Sequence, residues 1–323
     1  MSPIALSSSA LAWLGRQGTR AIAAIVFIAI ALPPLDALFK PFVTEAIFAL
    51  LCIAFMRVDL AVLRAYLARP ALVLAAAAWT SLVLPGLFGA GCLLAGLPAQ
   101  SPGLFLGLML QGVAPPMMAA PAFAAVMGLD ATLVLTTLVI STAITPLTAP
   151  LFAYVFIGPA LTLAPLVLGL KLLTILAGSL LLAAVIRRLV GFAAIRRASD
   201  QINGLNILLV FVFVAAVMEN VASELMAAPM RTIAFLALAF AVSFAVLGLT
   251  ALAFAKAGRE RSFVLALMAS QRNMGLMLAV AGGVLPDVTW LYFALAQFPI
   301  YLAPVFLEPL GRRMSIGREE AAR

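Results

Sequence analysis

Histidine is missing altogether from this chain, and cysteine occurs only as Cys52 and Cys92. The first absence removes the commonest metal ligand and the usual proton shuttle near neutral pH. The second leaves too few thiols, too far apart in sequence, for a disulfide framework or a thiolate metal site. Charge is scarce as well: 10% of the residues are Asp, Glu, Lys or Arg, against about 25% in soluble domains. There is no Gly-x-Ser-x-Gly nucleophile motif, no acidic metal cluster and no phosphate-binding glycine loop, so neither an intramembrane enzyme nor an ATP-driven pump is expected, and no cofactor is implied. What is present is apolar: 65% of the chain, where a soluble domain has about 45–50%. That composition reads as a polytopic membrane protein, and lipid requires its spans to be helical. The net charge of +8 does not indicate nucleic acid, because the basic residues sit in short clusters between apolar stretches.

A span takes about 20 apolar residues. Ten are expected, at 20–38, 41–57, 70–96, 102–127, 131–157, 162–187, 203–222, 231–255, 262–283 and 288–309. Residues 1–19 read as a cytoplasmic segment lying at the membrane surface with Trp13 at headgroup level; residues 312–323 read as a cytoplasmic tail. Arg16, Arg20, Arg57, Arg64, Arg69, Arg187, Arg188, Arg196, Arg197, Lys256, Arg259, Arg261, Arg312, Arg313, Arg318 and Arg323 fall on one side of this topology, and only Lys40 and Arg231 on the other. That bias places both termini in the cytoplasm, with the inner (plasma) membrane as the location. Gly158-Pro159 marks a midpoint, giving five-helix halves at 20–160 and 161–311. An odd number of spans per half forces opposite orientations, the inverted-repeat plan of many secondary transporters.

Two spans are interrupted at matching places, the fourth of each half. Pro115-Pro116 removes two backbone donors, with Gly112 before it and Pro121 after it. Ser270-Gln271-Arg272-Asn273 puts four polar residues about 15 Å from either end of the ninth span, close to the bilayer midplane. Broken backbone and a guanidinium at that depth must face protein or a water-filled cavity, and paired interrupted helices are the best sequence pointer to a carrier's binding site.

The run Gly112-Val113-Ala114-Pro115-Pro116, through Asp130 to Ser141-Thr142 and Thr145-Pro146-Leu147, resembles the corresponding part of the bile acid:sodium symporter family. Gln271-Arg272-Asn273-Met274-Gly275-Leu276 resembles that family's ninth helix, and the chain as a whole looks like a divergent bacterial-type member. The resemblance implies a core of helices 3, 4, 5, 8, 9 and 10 in which broken helices 4 and 9 cross. A panel of helices 1, 2, 6 and 7 would pack against it, with substrate between. It also implies sodium ligands, but at those positions this chain has Ala120 and Pro121, Val134 and Leu138, Met268, and Arg272 itself; a one-residue slip restores only Thr137. Sodium is therefore possible as a coupling ion, but most of the family's ligands are missing.

Arg272 offers a physical replacement. Its charge is effectively permanent, and at the crossover it can donate to the carbonyl end of the first half-helix, whose partial charge is negative. The alternative is a structural arginine paired with a carboxylate such as Glu219. Lys171, roughly 13 Å into the sixth span, is a second intramembrane cation that faces either substrate or Glu219. Two cations at depth favour an anion. The candidate substrate-binding residues are Arg272, Asn273, Gln271, Lys171, Pro115, Pro116 and Gln111. The cation-site equivalents are Ala120, Pro121, Thr137, Met268 and Arg272. Thr136, Ser141, Thr142 and Thr145 read mainly as hydroxyls bonded within the membrane, and Gln297 stands between packing and site.

The reading is a secondary active transporter of a small organic anion, working by alternating access without sodium. The alternatives are a sodium-dependent, bile acid-like symporter, an auxin efflux carrier-like protein with prolines at its breaks, and a membrane receptor that transports nothing. The expected partners are the anion and the lipid bilayer.

Overall fold

The computed structural model describes residues 3–31, 38–59, 70–157, 164–218, 221–281 and 285–321. In chain order the helices are α1 (Pro3–Ala31), α2 (Val43–Met56), α3 (Ala71–Leu94), α4 (Pro102–Val113), α5 (Ala120–Val126), α6 (Ala131–Phe152), α7 (Pro165–Val190), α8 (Phe192–Arg197), α9 (Ser199–Val217), α10 (Val221–Ala227), α11 (Pro229–Ala253), α12 (Arg259–Ser270), α13 (Met274–Ala281) and α14 (Asp287–Ala321). Among the described residues there is no β-strand, only one isolated bridge. Among the described residues six helical stretches are long and apolar enough to cross a membrane: Ala71–Leu94, Ala131–Ile157, Pro165–Val190, Ser199–Ala227, Pro229–Ala253 and Asp287–Met314. The chain is thus an all-α, multi-pass membrane protein. The Gly158-Pro159 midpoint, Arg64, Arg69, Glu219 and Arg323 lie outside the described residues.

Backbone contacts divide the chain into two compact units. The first comprises residues 1–58 and 174–233. In it α1 bends by 111° where Gly18 leaves helical geometry, at φ 56°. The stretch before the bend lies along α9 with glycine against backbone: a Cβ at Gly204 would strike Leu11, and one at Gly15 would strike Asp200. α9 starts at Ser199, four residues before the span expected from 203, because Asp200 suits the positive end of the helix and pairs with Arg16 at 3.6 Å.

The second unit comprises residues 59–173 and 234–323 and contains both interruptions. α4 packs against α3 and α14, and glycines set the spacing. A Cβ at Gly112 would come within 2.8 Å of Phe88, and one at Gly107 within 2.9 Å of the Tyr292 ring. α14 runs to Ala321, past the expected end at 309, with Glu308 and Arg312 paired one turn apart at 2.8 Å.

Candidate functional site

The first interruption follows from proline chemistry. In an α-helix the carbonyls of Gln111 and Gly112 would take the amides of residues 115 and 116, but those residues are prolines and have none. The last regular bond is Ala114 N to Leu110 O at 3.1 Å, after which Ala114 turns extended and α4 ends at Val113. Helix resumes at Ala120, with Pro121 in its first turn, where a missing amide costs nothing.

The second interruption lies between α12 and α13. The two broken segments meet as an antiparallel β-bridge between Pro116 and Arg272. Met117 N donates to Gln271 O at 2.7 Å, and Asn273 N to Pro115 O at 2.8 Å. Each break therefore satisfies backbone groups that the other leaves open, as buried peptide groups require. Asn273 also uses its side chain: its Oδ1 accepts from Leu276 N at 3.2 Å, an N-cap for α13.

Arg272 is 1% exposed, and its guanidinium donates through Nη2 to two carbonyls at 3.1 Å each, Gly112 O and Thr80 O. Both acceptors were orphaned by proline. Gly112 lost the amide at Pro116. Thr80 lies in a π-helical turn, Trp79–Val83, where Leu84 N already serves Trp79 O. The next amide in that register would come from residue 85, which is Pro85. Arg272 thus cross-links two proline-made defects in α3 and α4. Among the described residues its Nε and Nη1 have no partner and no carboxylate pairs with it.

Around this knot lie the other polar candidates. Thr80 Oγ1 bonds Ala76 O at 2.9 Å and pairs with Ser141 Oγ at 2.9 Å, which brings the hydroxyl face of α6 alongside. Thr136 and Thr145 bond their own helix, at 2.9 and 2.8 Å. Among the described residues the buried hydroxyls of Thr137 and Thr142 have no partner. Gln111 accepts from the Tyr292 hydroxyl at 2.6 Å, Gln271 Nε2 reaches Ser270 Oγ at 3.2 Å, and Gln297 bonds Phe293 O at 3.1 Å within α14. Pro115 and Pro116 are buried at the bridge itself.

The positions that the family resemblance assigns to sodium ligands tell a different story. Ala120, Val134 and Met268 pack together in one buried apolar cluster with Leu133 and Val264, and Leu138 is likewise buried. Hard cations take oxygen ligands, so these side chains do not fit a sodium ion.

Lys171 is half-buried on α7, and its Nζ donates to Val280 O at 3.3 Å, at the carbonyl end of α13. A cation suits that end of a helix. Its alternative partner, Glu219, lies outside the described residues. Sequence reasoning missed Thr80, Pro85 and Tyr292. A proline inside the third span was the available signal for the first two; nothing in sequence pairs Tyr292 with Gln111. No protein-family model and no curated protein sequence matches the chain.

Proposed function

We propose that the protein is a secondary carrier for a small organic anion, built as ten spans in two inverted five-helix repeats and working by alternating access across the inner membrane, with both termini cytoplasmic. The carrying observation is the Arg272 guanidinium at the crossing of two interrupted helices, bonded to the Gly112 and Thr80 carbonyls. Discontinuous helices of this kind are where carriers hold substrate and coupling ion.

In this mechanism Arg272 does the electrostatic work of a bound metal ion. A permanent positive charge sits on the negative end of α4, while carbon fills the neighbouring positions at Ala120, Val134 and Met268. The cation cannot leave, so it contributes no driving force, and transport runs by uniport, exchange or proton coupling. Uptake of candidate organic anions into proteoliposomes tests this. Rates should be equal with an inward sodium gradient and with potassium or choline in its place. A strict sodium requirement would overturn the proposal in favour of a symporter, and absence of uptake for every anion under all gradients would remove the carrier reading itself.

A further inference from the structure

One end of the first unit gathers arginine. Arg187 donates to Val58 O, and its guanidinium lies 4.7 Å above the Phe192 ring. Arg57 reaches Ser199 O at 3.5 Å, and Arg16 pairs with Asp200 at 3.6 Å. Beneath them Ile53, Met56, Ala183 and Ile195 form a small core that ties together the ends of α2, α7 and α8. These contacts bring Arg188, Arg196 and Arg197 to the same end, and all three are exposed. Two acidic residues are described at this end, Asp200 and Asp59, the latter next in sequence to Val58, against Arg16, Arg57, Arg187, Arg188, Arg196 and Arg197. Glu45 begins α2, at its opposite end, and Glu224 holds Arg231. The patch therefore carries an excess of positive charge, six guanidiniums against two carboxylates.

Apolar side chains lie at the same corner. α7 is apolar enough to span a membrane and stops at Val190. Gly191, at φ 85°, turns the chain into the short helix α8. At this corner Leu189 is 80% exposed and Val190 55% exposed. Ile195 anchors α8 inward while Arg196 and Arg197 face out. Two exposed aliphatic side chains at the end of a span, within eight residues of exposed Arg188, Arg196 and Arg197, offer contacts for an acyl chain and a phosphate together. A soluble phosphate ester would use only half of that surface.

We propose that this corner binds the headgroup of an anionic phospholipid, with Arg188, Arg196 and Arg197 on the phosphate and Leu189 and Val190 against the acyl chains. Basic clusters at the membrane surface attract such lipids, and guanidinium is the preferred partner of phosphate. The inference is independent of what the protein carries.

The test is thermal unfolding of the purified full chain in detergent, titrated with phosphatidylglycerol, phosphatidylcholine or inorganic phosphate. Phosphatidylglycerol should raise Tm, and phosphatidylcholine and inorganic phosphate should not. The triple variant Arg188→Gln, Arg196→Gln, Arg197→Gln should melt normally in phosphatidylcholine. Its apparent affinity for phosphatidylglycerol should fall roughly fivefold per arginine, about 100-fold in all. The variant Arg259→Gln, Arg261→Gln, in the other unit, should keep the wild-type response. An unchanged response in the triple variant, an equal loss in the control, no preference in the wild type, or full reproduction of the shift by inorganic phosphate would each overturn the proposal.

Discussion

The two helix breaks in the second unit solve opposite problems. The break after Val113 is made by residues that lack donors, so it leaves carbonyls at Gln111 and Gly112 in need of partners. The break at 271–273 is made by residues rich in donors: Arg272 Nη2 serves Gly112 O and Asn273 N serves Pro115 O, while Met117 N answers Gln271 O in return. Neither would be tolerable alone in a membrane, where each unpaired peptide group costs several kcal/mol. Arg272 is thus placed by acceptors that prolines created, and its permanent charge comes with the donors they require.

Removing the donor should have the largest effect. Arg272→Met leaves Thr80 O and Gly112 O unpaired, each worth about 1–3 kcal/mol. Relief of the buried charge offsets part of this, so a net loss of about 2 kcal/mol is expected from thermal unfolding in detergent, with loss of anion uptake. Unchanged stability would show that the carbonyls are satisfied some other way.

Restoring an amide sharpens the same comparison. The amide returned by Pro116→Ala reaches Gly112 O only where α4 continues helically through the extended Ala114, so in the Arg272→Met background, where no other donor serves that carbonyl, it should regain up to about 1 kcal/mol. In the wild type it competes with Arg272 for that carbonyl and should destabilise. A double-mutant cycle reads this sign reversal as non-additivity; strictly additive effects would break the proposed link between proline and arginine.

Asn273→Ala tests the second break by itself. Loss of the cap on α13 should cost about 1 kcal/mol, less than Arg272→Met, because the Asn273 amide still serves Pro115 O. A loss as large as that of Arg272→Met would show that the side chain does more than cap the helix.

Thr137→Val should have the smallest effect. The hydroxyl is buried without a partner among the described residues, so an isosteric methyl should leave stability within about 0.5 kcal/mol or raise it slightly. If the substitution abolishes uptake while stability holds, Thr137 contacts substrate.

Much of this was legible in the residues. Pro115-Pro116 and the tetrad from Ser270 to Asn273 announce their breaks because local chemistry alone forbids a regular apolar helix there. The donation from Arg272 to the first half-helix follows from charge and depth, and Gly112 O accepts it. Other features lie beyond local reading. Lys171 was weighed against substrate and Glu219, yet it bonds a carbonyl at Val280, 109 positions away. Backbone acceptors carry no residue-type signal, so sequence cannot nominate them. For the same reason Pro85 was visible while its effect on the Thr80 carbonyl was not: that effect depends on a π-helical register set by packing.

Composition and patterning by themselves determined that this is a multi-pass helical membrane protein and where two of its helices fail, since solvation in lipid and the chemistry of proline act residue by residue. Only the tertiary structure decided which failures meet. The bridge between Pro116 and Arg272, the second proline-made carbonyl at Thr80, and the filling of the neighbouring positions with carbon depend on segments up to 192 residues apart. Pairings of that kind are chosen by packing the whole unit so that each open backbone group finds its complement.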